Sequence, residues 1–278
     1  MKLGGTITGH FKSAADWGKQ LEMAHFTAAT CPLPHNAPVS DIAEMLSEAS
    51  RLHVTIAEVG VWRNPISPDT QERDAALAYA KDQLAYADAI GATCCVNITG
   101  SCGARWDGAY QENYSAQTYA EVVRSIQEII DAVRPTQTFY TIEPMPWMIP
   151  DGPEQYLQLI QDVNRERFAV HMDFVNMINS INRYLFSNDF IEECFSKLGP
   201  YIKSCHIKDV ALEVPFTMLL REVPPGKGQL DYAHVLRTID RYLPKDIPVL
   251  LEHMQTNEEY TEAFAYVSAI AKQEKILI

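Results

Sequence analysis

Basic charge is scarce in this 278-residue chain. It has 23 Lys and Arg against 36 Asp and Glu, for a formal net charge of −13, and no run of cations gathers into a patch. A chain this acidic repels a phosphate backbone, so nucleic acid is not an expected partner. Long hydrophobic runs are also missing: none approaches the roughly 18 residues that span a bilayer. The opening MKLGGTITGH has no apolar stretch of the kind a secretory leader carries. The expectation is a cytoplasmic protein with no membrane partner. Six cysteines occur, Cys31, Cys94, Cys95, Cys102, Cys194 and Cys205, but no C-x-x-C pair, which predicts reduced thiols buried in a core. No glycine-rich phosphate-binding turn follows the first strand candidate, which argues against a doubly wound dinucleotide fold.

What is present is a repeating alternation. Short apolar runs (KLGGTI, HFTAA, HVTIAEV, TCCVNI, TFYTIE, FAVHMD, IKSCHI and PVLLEH) carry the β-branched, aromatic and small residues of buried parallel strands. Longer amphipathic segments lie between them. The segment SDIAEMLSEASRL predicts a helix capped by Ser40, and SPDTQERDAALAYAKDQLAYADAIG one stopped by Gly91. In SAQTYAEVVRSIQEIIDAVR, residues Tyr119, Val122, Val123, Ile126, Ile129, Ile130 and Val133 trace one apolar stripe at helical spacing. About eight β-then-α units in a chain of this length predict a single (β/α)8 TIM barrel of class α/β, one domain over residues 1–278. The irregular stretch from Val210 to Leu230, containing PPGKG, is too long for a plain connection and reads as a functional flap.

Barrel strands end on one rim, and that rim carries the chemistry. The last four strands end in Glu143, Asp173, His206 and Glu252. One such residue means little, since a lone strand-end carboxylate is usually a solvated cap. Three carboxylates converging without a cation repel, and a divalent metal removes that penalty. Three oxygen donors and one imidazole suit Mn²⁺ best, Mg²⁺ or Co²⁺ next, and Zn²⁺ less well. Alternation places His171 on the same face as Asp173, where it orients that carboxylate or is simply a satisfied interior histidine. Lys208 shares a face with His206, and either meets a substrate oxygen or pairs with Asp209 or another carboxylate. His253 is expected to point outward, without a role.

At these residues the sequence resembles the sugar isomerase and epimerase superfamily of xylose isomerase-like barrels, which includes the ketose 3-epimerases, inosose dehydratases and endonuclease IV. The pieces that carry the resemblance are TIEPMPW, VHMDFVN, CHIKDV, PPGKGQLDY and LLEHM, with EVGVWRNP on strand three. The resemblance implies one divalent metal held by Glu143, Asp173, His206 and Glu252, the two glutamates also serving as acid and base. It further implies substrate contacts from Glu58 and Trp62 in the strand-three loop. Where the ketose 3-epimerases carry a histidine three residues after the metal aspartate, this chain has Asn176. The arginine after their metal histidine has no direct counterpart, and Lys208 or Arg221 is the candidate for its place. Relatives often pair or form tetramers, so a homo-oligomer is expected on that ground alone.

The chemistry also follows from the residues. A metal that chelates a carbonyl and the neighbouring hydroxyl acidifies the C–H between them and holds the enediolate charge. Epimerisation or isomerisation of a ketose or keto-sugar then needs a base and an acid, and Glu143 and Glu252 are the candidates. Trp62, Trp106 and Trp147 fall in predicted βα loops, where aromatic faces suit a carbohydrate. No Arg/Lys cluster marks a phosphate site, which favours a neutral sugar or glycoside. With a leaving group beside the enolate carbon, the same base drives β-elimination on an inosose or 3-oxo-glycoside, and the enzyme is a lyase. A nuclease of the endonuclease IV kind needs more histidines than these strands supply, and a catalytically silent sugar- or metal-binding barrel would not need both glutamates.

Overall fold

Eight parallel strands close on themselves in the computed structural model, which describes residues 1–214 and 217–278. The strands are β1 (Lys2–Gly5), β2 (Ala28–Thr30), β3 (Thr55–Gly60), β4 (Cys94–Asn97), β5 (Phe139–Ile142), β6 (Phe168–Met172), β7 (Ile202–Ile207) and, after a hairpin of β8 (Asp209–Glu213) and β9 (Leu219–Val223), β10 (Pro248–Leu251). Around the cylinder they run β1-β10-β7-β6-β5-β4-β3-β2, with β1 pairing both β2 and β10 in parallel. This is the (β/α)8 TIM barrel that the alternation predicts. Each strand is short because buried parallel strands need only cross the cylinder, and most strand residues are apolar or small.

The crossover helices are α1 (Ala14–Ala24), α2 (Val39–Arg51), α3 (Thr70–Ile90), α4 (Ala116–Val133), α5 (Pro153–Val163), the short α6 (Ile181–Leu185) with α7 (Ser187–Leu198), α8 (Tyr232–Tyr242) and α9 (Asn257–Glu274). In α4 the apolar stripe faces the sheet, and Val122, Ile126, Ile129 and Ile130 are buried. Helix α3 starts where Asp69 accepts a hydrogen bond from the Glu72 amide at 2.9 Å, and stops at Gly91 with φ of 71°. The start of α2 differs from expectation. The helix begins at Val39 behind Pro38, which fixes the entering backbone. Ser40 is therefore already inside the first turn and donates to its neighbour Asp41 instead of capping.

The interior of the cylinder is filled by small side chains. Ala28, Ala57 and Leu250, from β2, β3 and β10, form one small buried cluster there. The β2–β3 register slips between Ala29 and Thr30, so that Thr30 pairs with Glu58. A second slip lies between Val170 and His171 against β7. Such bulges re-aim side chains, and both lie beside the titratable residues of the mouth.

The predicted flap is largely the antiparallel β8–β9 hairpin, of which residues 215 and 216 lie outside the described residues. Asp209 pins its base. The Asp209 carboxylate accepts from the amides of Val210 at 2.8 Å and of Gly226, Gly228 and Leu230 at 3.1 Å each. A Cβ on Gly228 would lie 2.3 Å from the Asp209 carboxylate and 2.5 Å from the Val210 carbonyl, so only glycine lets the two strands of the loop close. Asp209→Ala leaves buried amides without an acceptor. The expected cost is on the order of 2 kcal/mol, read as a lower midpoint in urea unfolding together with faster proteolysis in the 210–230 stretch.

Candidate active site

The opposed carboxylates and imidazoles of the sequence meet at the C-terminal mouth. Glu143 stands one residue beyond β5, Asp173 one beyond β6, His206 within β7 and Glu252 one beyond β10. Each of the four offers a donor atom, and these atoms lie within 4.8 Å of one another. His206 Nδ1 is 3.0 Å from Glu252 Oε1 and 3.6 Å from Glu143 Oε1. Among the described residues His206 Nδ1 and Asp173 Oδ2 are fully buried and make no aligned hydrogen bond, although Lys208 Nζ lies 2.7 Å from that aspartate oxygen.

Glu58 extends the cluster from the opposite wall. It sits in β3 itself, not in the loop after it, and its Oε2 lies 3.1 Å from His206 Nε2. A carboxylate there accepts the Nε2 hydrogen and leaves Nδ1 to face the other three ligand atoms, the usual way a histidine donor is oriented. His171 is behind this pair. Its Nδ1 lies 2.5 Å from Ser204 Oγ, its Nε2 3.7 Å from Glu58 Oε2, and its ring packs edge-on against His206 at 4.1 Å between centroids. Expected either to orient Asp173 or to be an interior histidine, it bonds to Ser204 and not to Asp173, nearer the second alternative. The slip in the β6–β7 register turns it toward Ser204, and it is not among the cavity's wall residues.

Lys208 pairs with Asp173, Glu252 and Glu222 at 2.7, 2.6 and 2.9 Å, and not with Asp209, whose carboxylate is spent on the hairpin base. Burial opposes its charge, but Asp173, Glu252, Glu143 and Glu222 outweigh it and hold the ammonium well above the usual lysine range. Lys208 is fully buried and is not among the cavity's wall residues, and the groups it meets are the carboxylates. Removing it strands Asp173 without a counter-charge. Lys208→Met is expected to destabilise the protein in the presence of chelator by about 3–5 kcal/mol, measured by urea unfolding.

Asn176 ties two of the carboxylates together. Its amide nitrogen donates to Asp173 Oδ1 and its Nδ2 to Glu143 Oε1, both at 3.0 Å. Burial, then the nearby Glu252 charge, push the Glu143 carboxyl up to about 8. Burial opposes ionisation of Glu252 as well, but His206 and Lys208 hold it well below the usual carboxylate range. The two glutamates thus sit in unlike environments, one beside an amide donor and one beside two cations.

Two residues of the mouth escape sequence reasoning. His253 adopts φ of 62°, which turns its ring back over the rim instead of outward, with Nδ1 2.7 Å from Glu222 and Nε2 3.2 Å from Glu252. Strand alternation fails there because β10 has already ended at Leu251. Glu222 arrives on β9, and nothing in the local sequence shows that this hairpin folds over the mouth. Arg221, the candidate substitute for the missing arginine, is spent on Glu213 of the facing strand at 2.7 Å and is not among the cavity's wall residues.

Above the cluster opens a cavity of about 1290 Å³, walled by Glu58, Glu143, His206 and Glu252 at its base. Trp62, Trp106 and Trp147 all line it, with Asn176. Trp62, at φ of 49°, folds its indole over Gly60, where a Cβ would lie 2.0 Å from the ring nitrogen. Trp147 is anchored by a 2.7 Å hydrogen bond from its Nε1 to the Asp107 carbonyl. Among the described residues no helix is long and apolar enough to cross a membrane.

Residues 11–270 match the family model described as xylose isomerase-like TIM barrel. No curated protein matches the sequence. Among solved structures, the chain is similar to a xylose isomerase-like TIM barrel protein from Mycobacterium smegmatis in complex with magnesium, at 16% identity and a TM-score of 0.69, covering 98% of this chain and 97% of that one. It is similar to the D-psicose 3-epimerase of Clostridium cellulolyticum H10 with D-tagatose, at 13% identity and a TM-score of 0.71, covering 97% and 99%. It is equally similar to the probable 3-DHS dehydratase AsbF of Bacillus anthracis, at 14% identity and a TM-score of 0.71, covering 96% and 98%.

Proposed function

Because this chain belongs to the xylose isomerase-like TIM barrel family, we propose that it is a divalent-metal-dependent epimerase or isomerase of a ketose or keto-sugar. The observation that carries this reading is the meeting of Glu143, Asp173, His206 and Glu252 donor atoms within 4.8 Å at the foot of one cavity. The donor set fits a hard divalent cation, with Mn²⁺ preferred and Mg²⁺ or Co²⁺ acceptable. The buried His206 Nδ1 and Asp173 Oδ2, which have charged neighbours but make no aligned hydrogen bond among the described residues, support that fit. The magnesium complex of the mycobacterial relative points the same way. When bound, such a cation supplies Lewis acidity toward a substrate carbonyl.

The rest is done by the chain. Glu58 holds the tautomer of His206, and Lys208 neutralises the outer oxygens of Asp173 and Glu252. Glu143 and Glu252 approach the cavity from β5 and β10, three strands apart around the rim. One takes the proton from the carbon beside the carbonyl, and the other returns one. Incubation with Mn²⁺ in D₂O against ketoses, keto-glycosides and inososes, followed by NMR, tests the reading. Deuterium uptake at the carbon beside the carbonyl, with an inverted centre or a shifted carbonyl, is the expected result. No uptake across the panel sinks it.

A second reading rests on Asn176. Where the epimerases with a histidine at this place have a titratable group, an amide that donates to Glu143 cannot take part in proton return. That favours β-elimination, as the probable dehydratase among the neighbours also suggests. Loss of water or of an aglycone in the same NMR assay identifies it.

A further inference from the structure

On the far side of the His206 ring from the four-residue cluster lies a second set of donors. Glu58, His171 and His206 each offer one ligand atom within 4.8 Å of the others, and all three side chains are buried. Glu58 Oε2 is 3.1 Å from His206 Nε2 and 3.7 Å from His171 Nε2. A tetrahedral zinc with bonds of about 2.0–2.2 Å sets its ligand atoms roughly 3.3–3.6 Å apart, and the two separations straddle that range.

His171 supplies an independent sign of a ligand. Its ring is fully enclosed, and among the described residues its Nε2 has no hydrogen-bond partner. Its tautomer follows from its neighbours. Ser204 Oγ donates to Cys94 Sγ at 3.2 Å, so toward His171 that oxygen accepts, and the hydrogen sits on His171 Nδ1, 2.5 Å away. Burial, then the His206 charge, hold the ring well below the usual imidazole range, which keeps it neutral. His171 Nε2 therefore presents a lone pair toward a Glu58 oxygen that is itself an acceptor. Two buried acceptors facing each other are costly unless something positive lies between them. Two imidazole nitrogens and one carboxylate are the ligands of many open zinc sites, whereas the oxygen-rich outer four suit Mn²⁺. Glu58 and His206 also wall the cavity, so an ion can reach this place from the mouth.

We propose that Glu58, His171 and His206 Nε2 form an inner zinc site, filled in place of the outer cation and never beside it. The exclusion comes from His206. A neutral imidazole has one hydrogen and one lone pair. When Nδ1 serves the outer cation, Nε2 carries the hydrogen and donates to Glu58 at 3.1 Å. When Nε2 holds zinc, the hydrogen moves to Nδ1, which stands 3.0 Å from Glu252 Oε1, and the outer cluster loses its one nitrogen donor. Zinc thus inhibits from behind the outer site by reversing the tautomer of a shared histidine. The exclusion rests on the metal reading of the outer four residues; the inner site rests on its own geometry.

Equilibrium dialysis with elemental analysis tests this. Asp173→Asn removes an outer ligand and no inner one, so that protein is expected to bind one zinc and no manganese. Adding His171→Asn or Glu58→Gln to it is expected to weaken zinc by at least about 100-fold, more than the loss of a residue that only orients a ligand. Two alternative substitutions guard against one that fails to fold. In the parent protein saturated with Mn²⁺, each zinc taken up is expected to release one manganese, read from the spin-resonance signal of the free ion. No zinc on Asp173→Asn, or zinc that survives both added substitutions, overturns the inner site and leaves the outer reading standing. Zinc and manganese held together by the parent overturn the exclusion. Manganese bound by Asp173→Asn as tightly as by the parent, with zinc lost only through His171 and Glu58, upholds the inner site and overturns the outer reading.

Discussion

Glu143→Gln and Glu252→Gln are each expected to lower turnover and deuterium exchange by about 10²–10⁴, the usual worth of a positioned acid or base. Glutamine keeps the shape of the side chain but can neither take up nor release a proton at neutral pH. The two variants should differ in everything else. Glu143 accepts from a neutral donor, Asn176, and lies farther from His206 than Glu252 does, at 3.6 against 3.0 Å, so its replacement is expected to cost less stability than that of Glu252. Glu252 carries the charges of Lys208, His206 and His253, so its replacement also loosens the packing of Glu222 and the hairpin. Thermal melts of both variants check this split. If either variant exchanges deuterium at the parent rate while still binding Mn²⁺, that glutamate is not an essential acid or base.

Saturation with Mn²⁺ is expected to stabilise the folded protein, and chelation to abolish activity reversibly. At a free concentration 100 times the dissociation constant the gain is about 2.7 kcal/mol, which in a chain of this size moves the melting temperature by roughly 5 °C or more. The effect should vanish in Asp173→Asn. That side chain is fully buried, and its Oδ2 makes no aligned hydrogen bond among the described residues, only the ion pair with Lys208. An unchanged melting curve with Mn²⁺, Mg²⁺ and Co²⁺ alike removes the metal from the account and leaves Lys208 and a protonated His206 as the cations that balance the carboxylates.

Much of this architecture is legible in the chain itself. The eight strand candidates coincide with the eight barrel strands because buried parallel strands are written in continuous apolar residues, a local signal. The strand-end positions of Glu143, Asp173, His206 and Glu252 follow from the same signal, since the chemistry of such a barrel gathers at one rim. Local backbone detail is less legible. Ser40 has the side chain of a cap, but Pro38 sets the helix start two residues earlier.

Alternation along a strand predicts a face only while the strand lasts and its register holds. It fails at His253, past the end of β10, where a left-handed residue reverses the side chain. At His171 it holds, since that ring lies inside the barrel against His206 and Glu58, deeper than Asp173, although its hydrogen-bond partner is Ser204. The sequence by itself determined a barrel with a carboxylate-and-histidine mouth, because hydrophobic period and strand order are properties of neighbours in the chain. Only the tertiary structure decided that Glu58 reaches His206, that Lys208 turns away from Asp209 toward Asp173, and that Glu222 folds over the mouth on its hairpin. Those contacts join residues up to 148 positions apart, and their partners are chosen by closure of the cylinder, which no local pattern records.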